Sequence, residues 1–378
     1  MQLTPYGYNL LAGYIFFLIL FGCFLQGITL LILLKKENQQ KSLTPYLLNI
    51  VAANTFMILG SFPTTLVSSF ARGWAFNDAV CKFIGFVGGC AATSMIASML
   101  CITITIHRTI AKQNVTNHFL HQPPNKTQLK IIIGVWMYSA VIMLPPVTGL
   151  TEMKLEAADT NCAPNWSPDT PGDLAYILIL CVTAYFIPVG ASLFYYLQIR
   201  KALSAHMALA IPVASIQAQL RRFQNITYMT AVAIAAFAIT WLPYAVYVLI
   251  AAFGGSHLFD AVMSVVPAMV AKMSILYNPF VYALVNPRFR KSIIDLLTCA
   301  KPSPRQWKIA PFSFSISRRS GRRPPNLAPR KALERTAGNA EESVPRFLVC
   351  GEGQSTSGRY ENGGMELSKQ SKEKEGQI

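Results

Sequence analysis

The chain has 378 residues, with 33 lysines and arginines against 17 acidic residues, a formal charge of +16. Charged side chains make up only 13% of it, about half the usual share, while hydrophobic ones make up 52%. These figures exclude a disordered chain and argue against a soluble enzyme. A basic nucleic-acid binder spreads its charge over an exposed face. Here the charge is partitioned: residues 1–300 hold 18 basic and 9 acidic side chains, and residues 301–378 the other 15 and 8. Nine acids in 300 residues cannot clothe a soluble globule, so the solvent is expected to be lipid. Eight cysteines in this length do not make a disulfide scaffold.

Crossing a hydrocarbon core takes roughly 20 apolar residues as helix. Seven segments qualify: about 8–34, 44–70, 79–106, 129–150, 174–199, 224–252 and 258–284. The first is too long for the apolar core of a signal peptide and ends in Lys35-Lys36, so it reads as a retained span. Open strands would leave backbone groups unpaired in lipid, which leaves helix. Prolines at 63, 145, 146, 188, 243, 267 and 279 fall inside these spans. The expected fold is an all-α membrane protein, a seven-transmembrane helix bundle in one domain over residues 1–300.

The connections set the orientation. Lys35, Lys36 and Lys41 follow span one; Arg108, Lys112, Lys126 and Lys130 lie between spans three and four; Arg200, Lys201, Arg221 and Arg222 lie between five and six. The other side holds Asp78, Glu152, Glu156, Asp159, Asp169, Asp173 and Asp260, against Arg72, Lys82 and Lys154. Positive charge stays inside, so the N-terminus is expected outside and the C-terminus in the cytoplasm. After span seven, residues 288–299 read as a short amphipathic cytoplasmic helix, with Phe289, Ile293, Ile294, Leu296 and Leu297 on the membrane surface. Cys299 is a palmitoylation candidate or a plain free thiol. Residues 301–378, rich in Ser, Gly, Pro and charge, read as a disordered cytoplasmic tail. Its serines, with Arg318-Arg319-Ser320-Gly321-Arg322-Arg323 as basic context, are either kinase targets or mere solvation.

Lys272 is the sharpest feature. No other Lys or Arg lies well inside a span, and at about 1.5 Å per residue it sits about 18–20 Å from either end. Its stem cannot snorkel that far, and ionisable groups in the membrane are functional by default. Three readings stand: a neutral lysine facing the bundle interior, a lysine paired with a ligand carboxylate, and a nucleophile. An uncharged, desolvated amine attacks an aldehyde well, and a Schiff base needs Lys rather than Arg.

Six residues on comes Asn278-Pro279-Phe280-Val281-Tyr282. Span six carries Phe237 through Trp241-Leu242-Pro243-Tyr244; span five carries Pro188 and Tyr196; span four carries Trp136 and Pro145-Pro146. Cys81 and Cys162 both fall on the outer side. In this order and spacing, over about residues 10–300, the chain resembles the rhodopsin-like G-protein-coupled receptors and, within them, the animal opsins of invertebrate type. The Asn-Pro-x-x-Tyr and Trp-Leu-Pro-Tyr runs mark the superfamily, and Pro267 to Lys272, ending six before Asn278, marks the opsins.

The resemblance implies that Lys272 carries retinal, 11-cis in the dark, and that Cys81 and Cys162 form an extracellular disulfide. The outer compartment, being oxidising, independently permits that bond. A protonated Schiff base needs a counterion. No Asp or Glu lies well inside a span, and the position of the vertebrate visual opsins' glutamate, three after the matching cysteine, is Ile84. The remaining carboxylates are Glu152, Glu156 and Asp159 in the loop between spans four and five. Glu156, six before Cys162, matches the loop glutamate of many invertebrate opsins and is the candidate counterion; chloride and a merely solvated glutamate are the alternatives.

Trp241 and Tyr244, one turn apart, face the same side of their helix. Such aromatics are plain packing in many helices, but the resemblance puts Trp241 beneath the chromophore. It also implies pocket positions at Gly85, Thr93, Phe186, Ala268 and Met269. No metal site is expected.

The cytoplasmic end departs from the family. If Arg108 is the arginine that closes span three, His107 replaces its acidic neighbour and Thr109 its tyrosine; a gap-free count from Cys81 puts Ile106 there instead. Either way the restraining acid is missing. Asn54 stands where the family has a sodium-site aspartate, Gln26-Gly27 lies near its Gly-Asn pair, and Asn286-Pro287-Arg288 fills a tripeptide that varies among opsins. The implied switch residues are Arg108, Tyr196, Asn278, Pro279 and Tyr282. Of four sequons, those at Asn114, Asn125 and Asn225 face the cytoplasm, and only Asn165 is a glycosylation candidate.

The expected function is therefore a light-sensing receptor, not an enzyme, with a heterotrimeric G protein, arrestin, a receptor kinase and membrane lipid as partners, and no nucleic acid. The alternatives are a receptor for a diffusible ligand, with Lys272 pairing its carboxylate, and a transporter with Lys272 in its path. A transporter calls for paired acids and broken inverted repeats in the spans, and neither is visible.

Overall fold

The computed structural model describes residues 2–39, 41–111, 126–209, 214–285 and 287–298. The expectations for Cys299, Asn114, Asn125, Asn286 and the segment 301–378 lie outside the described residues.

Seven long helices and one short one account for most of them. Helix α1 runs Pro5–Leu33. Helix α2 is Thr44–Phe56, a π-helical turn Met57–Ser61, and Phe62–Ala71. Helix α3 is Asp78–Ala111 and α4 is Lys126–Met143. Helix α5 is Pro171–Cys181, a second π-helical turn Val182–Phe186, and Ile187–Leu209. Helix α6 is Ala214–Ala252, α7 is Ala261–Lys272 plus Ser274–Val285, and α8 is Pro287–Leu297. Six of these among the described residues are long and apolar enough to cross a membrane. The seventh, α4, is 18 residues long and opens on Lys126 and Lys130, which lower its mean hydropathy.

The prolines act as expected of residues that lack an N–H and crowd the carbonyl four back. Each π-helical turn sits just ahead of one, Pro63 or Pro188, so the widened turn takes up the clash. At Pro145 the response is a break: α4 ends at Met143 and a single turn, Pro145–Thr148, closes on Gly149 at φ 82°.

Helix α3 is the axis of the bundle. Every residue from Cys90 to Met99 is buried, which a helix achieves only when surrounded. The run is rich in small residues, which lets neighbouring backbones come close without help from water. The outer faces carry the reverse pattern: Phe16, Leu20 and Phe24 on α1 and Leu193, Phe194 and Leu197 on α5 are exposed, as a lipid-facing surface requires. Helix α8 corrects one expectation. Phe289 turns into the bundle and meets Tyr282 edge-on at 5.7 Å, while Ile294 and Leu297 stay exposed.

Between α4 and α5 the chain forms an antiparallel hairpin of β1, Met153–Glu156, and β2, Asn161–Pro164, with Glu156 opposite Asn161. Its turn places Ala157, Ala158 and Asp159 in the left-handed region, at φ 53°, 57° and 62°. Each costs about 1–2 kcal/mol for a residue with a Cβ. Three anchors hold it: the Cys81–Cys162 disulfide to α3, the Tyr8 hydroxyl donating to Ala158 O at 3.1 Å, and the Thr160 hydroxyl donating to Ala157 O at 2.8 Å.

Candidate functional site

Under the hairpin lies a cavity of about 170 Å³. Its walls are Met57 and Ser61 of α2, Ile84, Gly85, Ala92 and Thr93 of α3, Tyr185 of α5, Phe237, Trp241 and Tyr244 of α6, and Ala268 and Lys272 of α7. The hairpin roofs it with Glu156, Asn161 and Cys162.

Lys272 reaches the cavity from an interruption in α7. The Met273 N–H donates to Val270 O at 3.2 Å and the Leu276 N–H to Met273 O at 3.0 Å, three-residue steps that tighten the helix just beyond Lys272. Pro267 and Pro279 lie within the two halves. The lysine is thus the last residue of the first half of α7, a local feature that the uniform span of the sequence reading did not contain.

Of the three loop carboxylates, only Glu156 lines the cavity. Glu152 lies on the surface with Lys154 at 3.4 Å, an exposed pair worth little. Glu156 accepts three hydrogen bonds: from Asn161 Nδ2 to Oε1 at 2.8 Å, and to Oε2 from the Tyr244 hydroxyl at 2.7 Å and Trp166 Nε1 at 3.1 Å. The same indole N–H also lies 3.2 Å from the Tyr244 oxygen. No hydrogen bond or ion pair joins Glu156 to Lys272, although both line the same cavity.

The α6 aromatics form a ladder on the cavity wall. Trp241 stacks on Phe237 at 5.4 Å and meets Tyr244 edge-on at 6.0 Å. The Trp241 Nε1 is buried with no hydrogen-bond partner. Gly85 packs closely under the hairpin: a Cβ there would come within 2.8 Å of the Met153 sulfur, which would have to move, and 3.3 Å of Cys162 O. Thr93 and Ala268 also line the cavity.

Two pocket expectations are corrected. Phe186 is exposed on the outer face, and its neighbour Tyr185 lines the cavity and donates to Ala238 O at 2.6 Å. The π-helical turn at Val182–Phe186 rotates the helix relative to a plain α-helical count. Met269 is buried but off the cavity; its carbonyl accepts from the Tyr14 hydroxyl at 2.8 Å, on the α1 side. Asn165, the glycosylation candidate, is also corrected. It is buried, its Nδ2 donates to Asp169 Oδ2 at 3.3 Å, and its Oδ1 accepts from the Ser167 N–H at 3.1 Å.

At the other end of the bundle, Asn278 and Pro279 are buried, with Asn278 Nδ2 3.8 Å from Met95 Sδ. Tyr282 is buried against α8. Arg108 is exposed and no ion pair among the described residues holds it, while Ile106 is buried. The His107 ring packs on Tyr195, at 5.1 Å, beside the expected Tyr196. Asn161, Trp166 and Tyr185 were not singled out in the sequence. Asn161 follows from hairpin register once Glu156 is chosen, but nothing periodic marks Trp166.

The chain matches the family model of the 7 transmembrane receptor (rhodopsin family) over residues 27–282. It is similar to melanopsin of Rutilus rutilus, 31% identical, covering 80% of this chain and 61% of that one. It is also similar to rhodopsin of Sepia officinalis, 26% identical, covering 74% and 63%. The chain therefore spans about three fifths of the length of these relatives. Among solved structures, squid rhodopsin superposes with a TM-score of 0.71 at 25% identity, covering 80% of this chain and 90% of that one. The bundle, the roofing hairpin with its disulfide and this match together make the chain a multi-pass membrane receptor of the rhodopsin family, and within that family an animal opsin.

Proposed function

We propose that the protein is a light sensor that holds retinal as a Schiff base on Lys272, with Glu156 as counterion, and activates a heterotrimeric G protein. The observation that carries this reading is one primary amine in an apolar, aromatic-walled cavity, facing a carboxylate already held by three donors. The lining suits a long apolar aldehyde, since apolar and aromatic side chains make up most of the cavity wall.

Retinal, 11-cis in the dark, supplies visible absorption and a light-driven change of shape when bound there. The protein's residues do the rest. Lys272 provides the nucleophilic nitrogen and Glu156 the negative charge that keeps a cation tolerable in a desolvated site. Trp241 and Phe237 form the stacked wall that senses a change in the cavity's contents, and both lie within one turn or two of Pro243, the hinge of α6. Swinging the end of α6 that bears Arg221 and Arg222 away from Arg108 opens a basic cleft for the G protein. That end is proposed to face the cytoplasm, where lipid, arrestin and a receptor kinase also act.

The test is a spectrum. Protein purified with 11-cis-retinal is expected to show a visible band that Lys272→Ala lacks. A wild type without such a band, or a band that survives Lys272→Ala, sinks the reading. In Glu156→Gln the visible band is expected to give way to a near-ultraviolet one at lower pH than in wild type. If the pH dependence stays put and halide replacement moves it instead, chloride is the counterion.

A further inference from the structure

We infer that Trp166 is a positioning residue for the Glu156 carboxylate: its indole N–H, shared between Glu156 Oε2 and the Tyr244 hydroxyl, fixes where the negative charge sits and how strongly it acts. The inference rests on the assignment of Glu156 as counterion and gives one of its three donors a role of its own.

The chemistry of the donors sets the direction of every bond in the cluster. An indole N–H donates only, and an ionised carboxylate accepts only. Tyr244 must then donate to Glu156 and accept from Trp166. The three groups close a triangle with sides of 3.1, 3.2 and 2.7 Å. Within it, the indole polarises the tyrosine hydroxyl and thereby strengthens its bond to the carboxylate. Two of the three donors converge on Oε2, leaving Oε1 to Asn161 alone. The carboxylate is therefore turned and partly neutralised by groups other than Lys272, which makes no bond to it. Of the titratable side chains, Tyr244 on α6 bonds Glu156 directly and Lys272 on α7 lines the same cavity.

The segment bearing Trp166 is built to hold it. The Asn165 N–H donates to Glu152 O at 2.8 Å, tying the residue after β2 back to the start of β1, and both ends of its side-chain amide are occupied. The indole meets the Tyr244 ring edge-on at 6.0 Å and an interplanar angle of 88°. Tyr244 belongs to α6, the helix proposed to move, whereas Trp166 belongs to the same connection as Glu156. Of the two donors at Oε2, Trp166 is the one that stays with the carboxylate when α6 swings.

Substituting Trp166→Phe keeps an aromatic ring and removes the N–H. In the retinal-free protein, the carboxylate infrared bands of Glu156, identified as those lost in Glu156→Gln, are expected to shift in Trp166→Phe. In the protein regenerated with 11-cis-retinal, Glu156→Gln removes the charge while Trp166→Phe sharpens it. The absorption maximum is therefore expected to move in opposite directions in the two variants. In the Glu156→Gln background, Trp166→Phe is expected to do nothing further, a coupling that mere packing does not produce. Should Trp166→Phe fold poorly, wild type carrying fluorinated tryptophan, whose indole N–H is the stronger donor, is expected to shift the same infrared bands, since Trp166 is the tryptophan that donates to Glu156. Unchanged carboxylate bands, or an equal spectral shift with and without Glu156, overturns the inference. A wild type that forms no pigment defeats the retinal reading instead, and the infrared comparison still decides the role of Trp166.

Discussion

Asn49 and Asn54, five positions apart on α2, show how differently one residue type serves a membrane interior. Asn49 uses its whole amide. Its Nδ2 donates to Ser98 Oγ at 2.8 Å and to Ser94 Oγ at 3.2 Å, and its Oδ1 accepts from Trp136 Nε1 at 2.7 Å, so one side chain joins α2, α3 and α4. Asn54 is equally buried, yet neither of its amide atoms has a hydrogen-bond partner, and the same holds for Ser274 Oγ and Asn278 Oδ1. Within the apolar bundle a single interhelical hydrogen bond averages only about 0.6 kcal/mol. Leaving the partner unsatisfied costs about 1–3 kcal/mol. Asn49→Ala orphans the Trp136 N–H and is expected to destabilise by that larger figure. Asn54→Ala breaks no bond and is expected to cost less. Thermal unfolding of the two variants in detergent checks the order, and equal losses would count against the Asn49 network.

At the scale of elements, the hairpin between α4 and α5 matters most, because it carries Glu156, Asn161 and Cys162 to the cavity. Its turn runs through three left-handed residues with side chains, so it persists only while its anchors do. Cys162→Ser removes the link to α3, a closure over 81 residues of chain. Losing such a bond costs about 2–5 kcal/mol. The fraction of protein that forms pigment with 11-cis-retinal is expected to fall sharply, more than in Cys23→Ser, which alters an exposed free thiol. Equal pigment yields would show that the hairpin holds its place without the bond. This hairpin also marks where sequence reading stops. The long apolar spans and the buried Lys272 were legible because length and hydropathy are properties of a linear string, whereas the Cys81–Cys162 pairing came from the family resemblance alone. The hairpin was not, since alanines carry no preference for a left-handed turn and Trp166 has no periodic neighbours. Phe186 was misplaced for a related reason: a π-helical turn is a local answer to Pro188, and its rotation shows only in three dimensions. The break of α7 beside Lys272 is another such answer.

For the molecule as a whole, the placement of charge predicts a topology that sugar attachment can read. Lys35, Arg108, Lys126, Lys130, Arg200 and Lys201 cluster at one set of helix ends, and Glu152, Asp169, Asp173 and Asp260 at the other. Basic ends stay on the cytoplasmic side during insertion, so the sequons at Asn114, Asn125 and Asn225 are expected never to meet the glycosylating enzyme. The remaining one, Asn165, is expected on the opposite side, but it is buried with its amide engaged. Protein made in animal cells is thus expected to carry no N-linked sugar, and glycosidase treatment leaves its gel mobility unchanged. A sequon added on an N-terminal extension is expected to gain a sugar, and the same extension at the C-terminus is not. The reverse result would invert the bundle, move Glu156 to the cytoplasmic side and remove the oxidising setting that the Cys81–Cys162 bond requires. A mobility shift in the unaltered protein that disappears in Asn165→Gln would mean that the segment bearing Trp166 is open during synthesis. The hydrogen bonds around Asn165 would then close only after the bundle has assembled.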